Sequence, residues 1–177
     1  MSYSHDYLKA FQELAEGTLV SGCEGDLDLG RGLDECERLT AEAKASGGRL
    51  FFCGNGASAA FSSHMALDWS KNGGVPAISL NDSVQLTALG NDLGYDDVFA
   101  AALQWHARSG DLLVTISSSG NSPNIIKAIG VAREIGMKVI TFSGLKPDNE
   151  SRKLGDLNVY VPAKTYGMVE CAHLVGL

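Results

Sequence analysis

Asp111-Leu-Leu-Val-Thr-Ile-Ser117 runs without a break into Ser118-Ser-Gly-Asn-Ser-Pro123. The centre of the first stretch is apolar or β-branched with no alternation, the pattern of a strand buried on both faces. Pro123 presets the first turn of a helix that the spacing carries through Ile135. A strand that hands over to a helix through a polar turn is the repeating unit of a parallel sheet covered by helices.

The same grammar extends both ways. Arg49-Leu-Phe-Phe-Cys53, Val75-Pro-Ala-Ile-Ser-Leu80, Met137-Lys-Val-Ile-Thr-Phe142 and Leu157-Asn-Val-Tyr-Val161 read as four more strands. Helical periodicity covers Ala57 to Trp69 and Asp97 to Arg108, with a short helix or turn at Asp82 to Gly90 and a last helix from about Tyr166. These elements predict a three-layer αβα sandwich around a five-stranded, mostly parallel sheet. Ahead of it, helical stripes at 2–20 and 33–45 flank an acidic, glycine-rich connection from Cys23 to Asp34. Residues 1–177 are read as one domain, with 1–45 a helical element suited to oligomerisation or capping.

Composition narrows the function. The 177 residues are 45% hydrophobic and 20% charged, enough for a sizeable core. Fourteen basic against 21 acidic groups give a net charge of -7, so direct nucleic-acid binding is not expected. The four cysteines at 23, 36, 53 and 171 have neither the density nor the CxxC spacing of a disulfide scaffold or zinc knuckle. The start lacks signal-peptide character and no apolar run reaches membrane-spanning length, so a cytoplasmic chain with no membrane partner is expected.

Ligands of parallel sheets sit beyond the carboxyl ends of the strands, and two loops there carry chemistry. Cys53-Gly54-Asn55-Gly56-Ala57-Ser58 is a tight turn that leads into a helix, able to bind an anion or simply to cap the helix. It is neither a dinucleotide fingerprint nor a Walker loop, since Ala59 breaks the first pattern and no GK[ST] follows. Ser117 to Pro123 gathers the hydroxyls of Ser117, Ser118, Ser119 and Ser122 with the amide of Asn121. Either loop alone reads as a polar turn. Together they favour a phosphate or sugar-phosphate site.

Ionisable groups add a second layer. His64 and Asp68 are i,i+4 on the helix after the first loop, so they share a face. Such a pair can bind metal, act as acid and base, or be a plain surface pair. Glu170 and His173 are co-facial in the last helix, and meet the first pair only if that helix returns across the same sheet edge. Asn91 and Asp92, like Asp82 and Ser83, either orient substrate hydroxyls or make Asx turns. Cys53 and Cys171 read as small hydrophobes, and Trp69 and Trp105 as packing residues.

Cys53-Gly-Asn-Gly-Ala-Ser58, Thr87-Ala-Leu-Gly-Asn-Asp92 and Ile116-Ser-Ser-Ser-Gly-Asn-Ser-Pro-Asn124 together resemble the sugar isomerase (SIS) domain family, and within it the phosphoheptose isomerase-like group. The resemblance covers almost the whole chain. It implies a flavodoxin-like αβα domain that forms a homotetramer with active sites between subunits. It also implies conversion of sedoheptulose 7-phosphate to D-glycero-D-manno-heptose 7-phosphate, a step towards surface heptose. Carried over by position, the substrate contacts are Asn55, Ser58, Asp92, Ser117, Ser118, Ser119 and Ser122, with Asn121 in the same loop and Glu170 in the last helix. Catalysis falls to Asp68 as base and His64. Zinc would be held by His64, Asp68 and Glu170.

Two substitutions depart from the family pattern: Asp68 stands for a glutamate and Glu170 for a glutamine. A family histidine would follow Leu177 directly, so the last helix is expected to be cut short there. The competing reading is a non-catalytic sugar-phosphate-binding or protein-partner module, similar to the replication-initiation-associated members of the family.

Overall fold

A computed structural model describes residues 2–23 and 25–177; Met1 and Glu24 lie outside the described residues. In chain order the helices are α1 (Tyr3–Glu16), α2 (Leu29–Ala45), α3 (Ala57–Asp68), α4 (Ser83–Asp92), α5 (Val98–His106), α6 (Pro123–Ile135) and α7 (Tyr166–Gly176). The strands are β1 (Leu19–Gly22), β2 (Gly25–Leu27), β3 (Leu50–Gly54), β4 (Ala77–Ser79), β5 (Leu112–Ser117), β6 (Lys138–Gly144) and β7 (Leu157–Val161).

The sheet corrects the expected five strands. Among the described residues it has seven, in the order β2-β1-β7-β6-β5-β3-β4. It is also mixed rather than mostly parallel, because β1 pairs antiparallel with both β2 and β7. The two added strands lie where the sequence reads as the end of a helix and a loop. They are three or four residues long and include Gly22 and Gly25, so no local pattern marks them. What makes them strands is tertiary: β7 offers an edge, and Asn158 donates from Nδ2 to the Ser21 carbonyl at 3.4 Å. The first helical stripe accordingly stops at Glu16.

Period-two alternation divides the core between the faces. Phe51 and Cys53 of β3 and Leu113 of β5 join Phe99, Leu103, Ile125 and Ile129 under α5 and α6. Leu50 and Phe52, with Val114 and Ile116, face Leu39, Ala43 and Ala66 under α2 and α3. A smaller cluster of Val161, Ala163 and Val169 seats α7, with Leu14 of α1 packed against it.

Capping explains several element ends. Asp28 accepts from Arg31 N at the start of α2, and Asp82 accepts from Val84 N and Gln85 N at the start of α4. Asp82 is therefore used as a cap. Among the described residues, no helix is long and apolar enough to cross a membrane.

Candidate functional site

Strands β3 and β5 are parallel neighbours, so the loops after Gly54 and Ser117 leave the sheet side by side. Gly54 is required by close approach: a β-carbon there would stand 2.6 Å from Ser58 Cβ. Between the loops lies a cavity of about 120 Å³ lined by Asn55, Ser58, Ile116, Ser117, Ser118, Ser119, Ser122, Tyr166 and Glu170. Neither α3 nor α6 has a side-chain cap at its N-terminus; Ser58 N and Ile125 N in their first turns donate to the backbone carbonyls of Asn55 and Ser122 at 3.1 and 3.0 Å.

The serines are held from behind. Ser58, Ser117 and Ser118 are buried, and the Ser117 and Ser122 hydroxyls lie 3.4 Å apart. Asn121 N donates to Ser119 Oγ at 3.2 Å. The Ser118 hydroxyl is buried with no hydrogen-bond partner among the described residues, as are those of Thr115 and Ser151, and of the three residues only Ser118 lines the cavity. The lining holds no lysine or arginine. Its one formally charged member is the Glu170 carboxylate.

Asn55 and Asn124 tie the two loops together. Each amide nitrogen donates to the other's oxygen at 3.0 Å, and Tyr95 Oη donates to Asn55 Oδ1 at 3.2 Å. Sequence reading missed Asn124, Tyr95 and Tyr166. Asn124 ends the quoted serine motif, and Tyr166 lies one helical turn before Glu170, so a co-facial search from Glu170 finds it. Tyr95 carries no such signal.

Other expected residues sit elsewhere. His64 Nε2 and Asp68 Oδ2 lie 3.3 Å apart on the outer face of α3, with side chains 60% and 40% exposed. They do not line the serine cavity. Asp92 is exposed and accepts from Asn91 Nδ2 at 2.7 Å, also outside that lining. His173 does not join Glu170. Its side chain is buried, Nε2 donates to the Ser143 carbonyl at 3.1 Å, and its ring meets Phe142 edge-on. Burial pushes the imidazole pKa down to about 4, with the bond to Ser143 pulling the other way. Burial likewise raises the Cys53 thiol far above its ordinary range and Cys36 to about 11, so neither is an activated nucleophile.

The expectation of zinc is corrected by the donor geometry. Among the described residues, no three His, Cys, Asp or Glu side chains come together in a group able to hold a metal ion. Glu170 borders the serines, whereas Asp68 is engaged by His64 and, at 3.4 Å, by Asn72 Nδ2. Two donors on one exposed helix face fall short of a structural or catalytic zinc set.

Comparison with known proteins gives the family. Residues 29–144 match the SIS domain. Phosphoheptose isomerase of Aliarcobacter butzleri is 37% identical over 149 residues, 81% of this chain and 78% of that protein. The enzyme of that name from Escherichia fergusonii is 37% identical over 155 residues, 85% of this chain and 79% of the other. The structure of phosphoheptose isomerase from Neisseria gonorrhoeae superposes with a TM-score of 0.83 at 29% identity, covering 98% of this chain and 91% of that one. By sequence and by fold, the chain belongs to the SIS domain family, in its phosphoheptose isomerase-like group.

Proposed function

We propose that the chain is an aldose–ketose isomerase that interconverts sedoheptulose 7-phosphate and D-glycero-D-manno-heptose 7-phosphate. The observation that carries the reading is a serine-walled cavity at two helix N-termini without side-chain caps, with the buried Ser118 hydroxyl unpartnered among the described residues. A phosphate needs several short donors and a favourable dipole and does not need lysine, and this cavity offers that combination. Ser58, Ser117, Ser118, Ser119 and Ser122 take the phosphate oxygens, and Asn121 holds their loop. Asn55, Asp92 and Glu170 take sugar hydroxyls. Phosphate binding then fixes one end of the substrate and supplies remote binding energy for the reacting end.

On helix α3, His64 and Asp68 follow Ser58 by six and ten residues, about 9 and 15 Å of helical rise, so the pair lies towards the opposite end of the helix from the serine cavity. Asp68 is the proposed base. It removes the C1 proton of the ketose while O2 gains a proton, giving the enediol; a proton then returns at C2 as the O1 proton leaves and the C1 carbonyl forms. His64, with Nε2 3.3 Å from the Asp68 carboxylate, holds it in place.

The reading includes a homotetramer of a single SIS domain spanning 1–177, in the cytoplasm, with no direct nucleic-acid partner at a net charge of -7. Helix α1 supports assembly: it has no buried residue, yet carries Tyr3 at 84% and Leu8 at 67% exposure. A neighbouring subunit would also close the exposed His64–Asp68 pair from water.

Separating the two ends of the site tests the roles. Asp68→Asn should lower kcat by about 10² to 10⁴ while leaving inhibition by inorganic phosphate within twofold. Unchanged kcat in Asp68→Asn removes this residue as the base.

A further inference from the structure

The serine loop is clamped from outside the cavity by a stretch that plays no part in the chemistry above. Asn149 is 1% exposed and occupies the space where a side chain of residue 120 would go. Gly120 has φ +63°, and a β-carbon built there would overlap the Asn149 amide and stand 2.9 Å from Asn149 Cβ. The two residues that follow Asn149 hold the same turn. Ser151 N donates to the Gly120 carbonyl at 2.9 Å, and Glu150 N donates to Asn121 Oδ1 at 2.9 Å.

Asn149 is itself tied to the end of β6. Its Nδ2 donates to Lys146 O at 2.8 Å, with longer contacts to Ser143 Oγ at 3.3 Å and Gly144 O at 3.4 Å. Its Oδ1 accepts from Arg152 N at 3.2 Å. Ser143 is also where His173 anchors α7, which carries Tyr166 and Glu170 into the cavity. Both walls of the cavity thus hang on one end of β6.

We propose that Asn149 is a positioning residue for substrate phosphate: by wedging against Gly120 and directing Glu150 N and Ser151 N onto the turn, it presets the serine hydroxyls for the anion. The inference rests on the reading of the serine cavity as the phosphate site. An aligned cradle does not have to be ordered when the anion arrives, so losing the clamp weakens binding rather than the proton transfer.

The test uses Asn149→Ala in the intact chain, with inorganic phosphate as titrant and as competitor of sedoheptulose 7-phosphate. Asn149→Ala should raise the phosphate dissociation constant and the KM together, each by about tenfold, with kcat within about threefold. A folded variant with unchanged phosphate affinity and KM overturns the clamp, as does one that loses kcat at constant KM. Should the variant fail to fold, amide hydrogen exchange of the unsubstituted protein decides. Phosphate should slow exchange at Glu150 and Ser151, and unchanged exchange there with phosphate bound overturns the proposal. Failure of the unsubstituted protein to bind phosphate at all sinks the reading of the cavity along with the clamp. Binding of phosphate without turnover of the heptose ester removes the isomerase assignment alone, and the titrations still test Asn149.

Discussion

Glu170 sets the main electrostatic tension of the site. An anion-binding cavity with no basic lining carries a carboxylate on its wall, and that carboxylate works against phosphate over a few ångströms. Glu170→Gln should therefore tighten inorganic phosphate by roughly fivefold, about 1 kcal/mol, measured by competitive inhibition. No change would mean that Glu170 faces the sugar too far from the phosphate to be felt. Ser118→Ala should act in the opposite sense, weakening phosphate by about tenfold at little cost to folding, since the hydroxyl has no partner among the described residues to lose. The serines could be found from sequence because their loop is contiguous. Tyr95 and Asn149 could not, because each reaches the site across 40 or about 30 residues of chain, and only the tertiary fold brings Tyr95 to Asn55 or Asn149 to Gly120.

Among the elements, the strands at 50–54, 112–117, 138–144 and 157–161 are legible because burial on both faces leaves unbroken apolar runs. The strands at 19–22 and 25–27 leave no such run. They exist because a neighbour's edge is available, and they make the sheet larger and mixed in sense. The metal set failed for a related reason. Spacing shows that His64 and Asp68 share a face of α3, but not where that face points relative to Glu170. Helix α7 makes a pH-dependent contribution of its own. The His173 imidazole titrates at about 4 when folded against an ordinary 6.5, so the unfolded chain binds more protons in that interval. The sign follows: its contribution is complete above about pH 6.5 and is lost as pH falls towards 4, at a limiting slope of about 1.4 kcal/mol per pH unit. Denaturant titrations of the parent chain and His173→Gln should differ in slope over that interval. Parallel curves would contradict a neutral, buried His173.

Across the whole molecule, the chain presents apolar surface that a lone subunit does not use. Tyr3 and Leu8 on α1 are exposed, and α1 contributes to the core chiefly through Leu14. Sedimentation should show four chains together at micromolar concentration, and Leu8→Glu should shift the population towards smaller species. A monomer throughout would leave the His64–Asp68 pair open to water and argue against the assembly described. With a net charge of -7 and no cation in the lining, a phosphorylated substrate has to be held by hydroxyls and helix ends alone. The claim on which the rest depends is that this cavity holds the phosphate of a heptose ester while a proton moves between the ester's first two carbons. Proton magnetic resonance of sedoheptulose 7-phosphate incubated with the protein in deuterium oxide tests it directly. The account predicts growth of an aldose C1 proton signal at the expense of the ketose, with solvent deuterium entering at C2 of the aldose. A spectrum that stays unchanged, with phosphate binding intact, would contradict it.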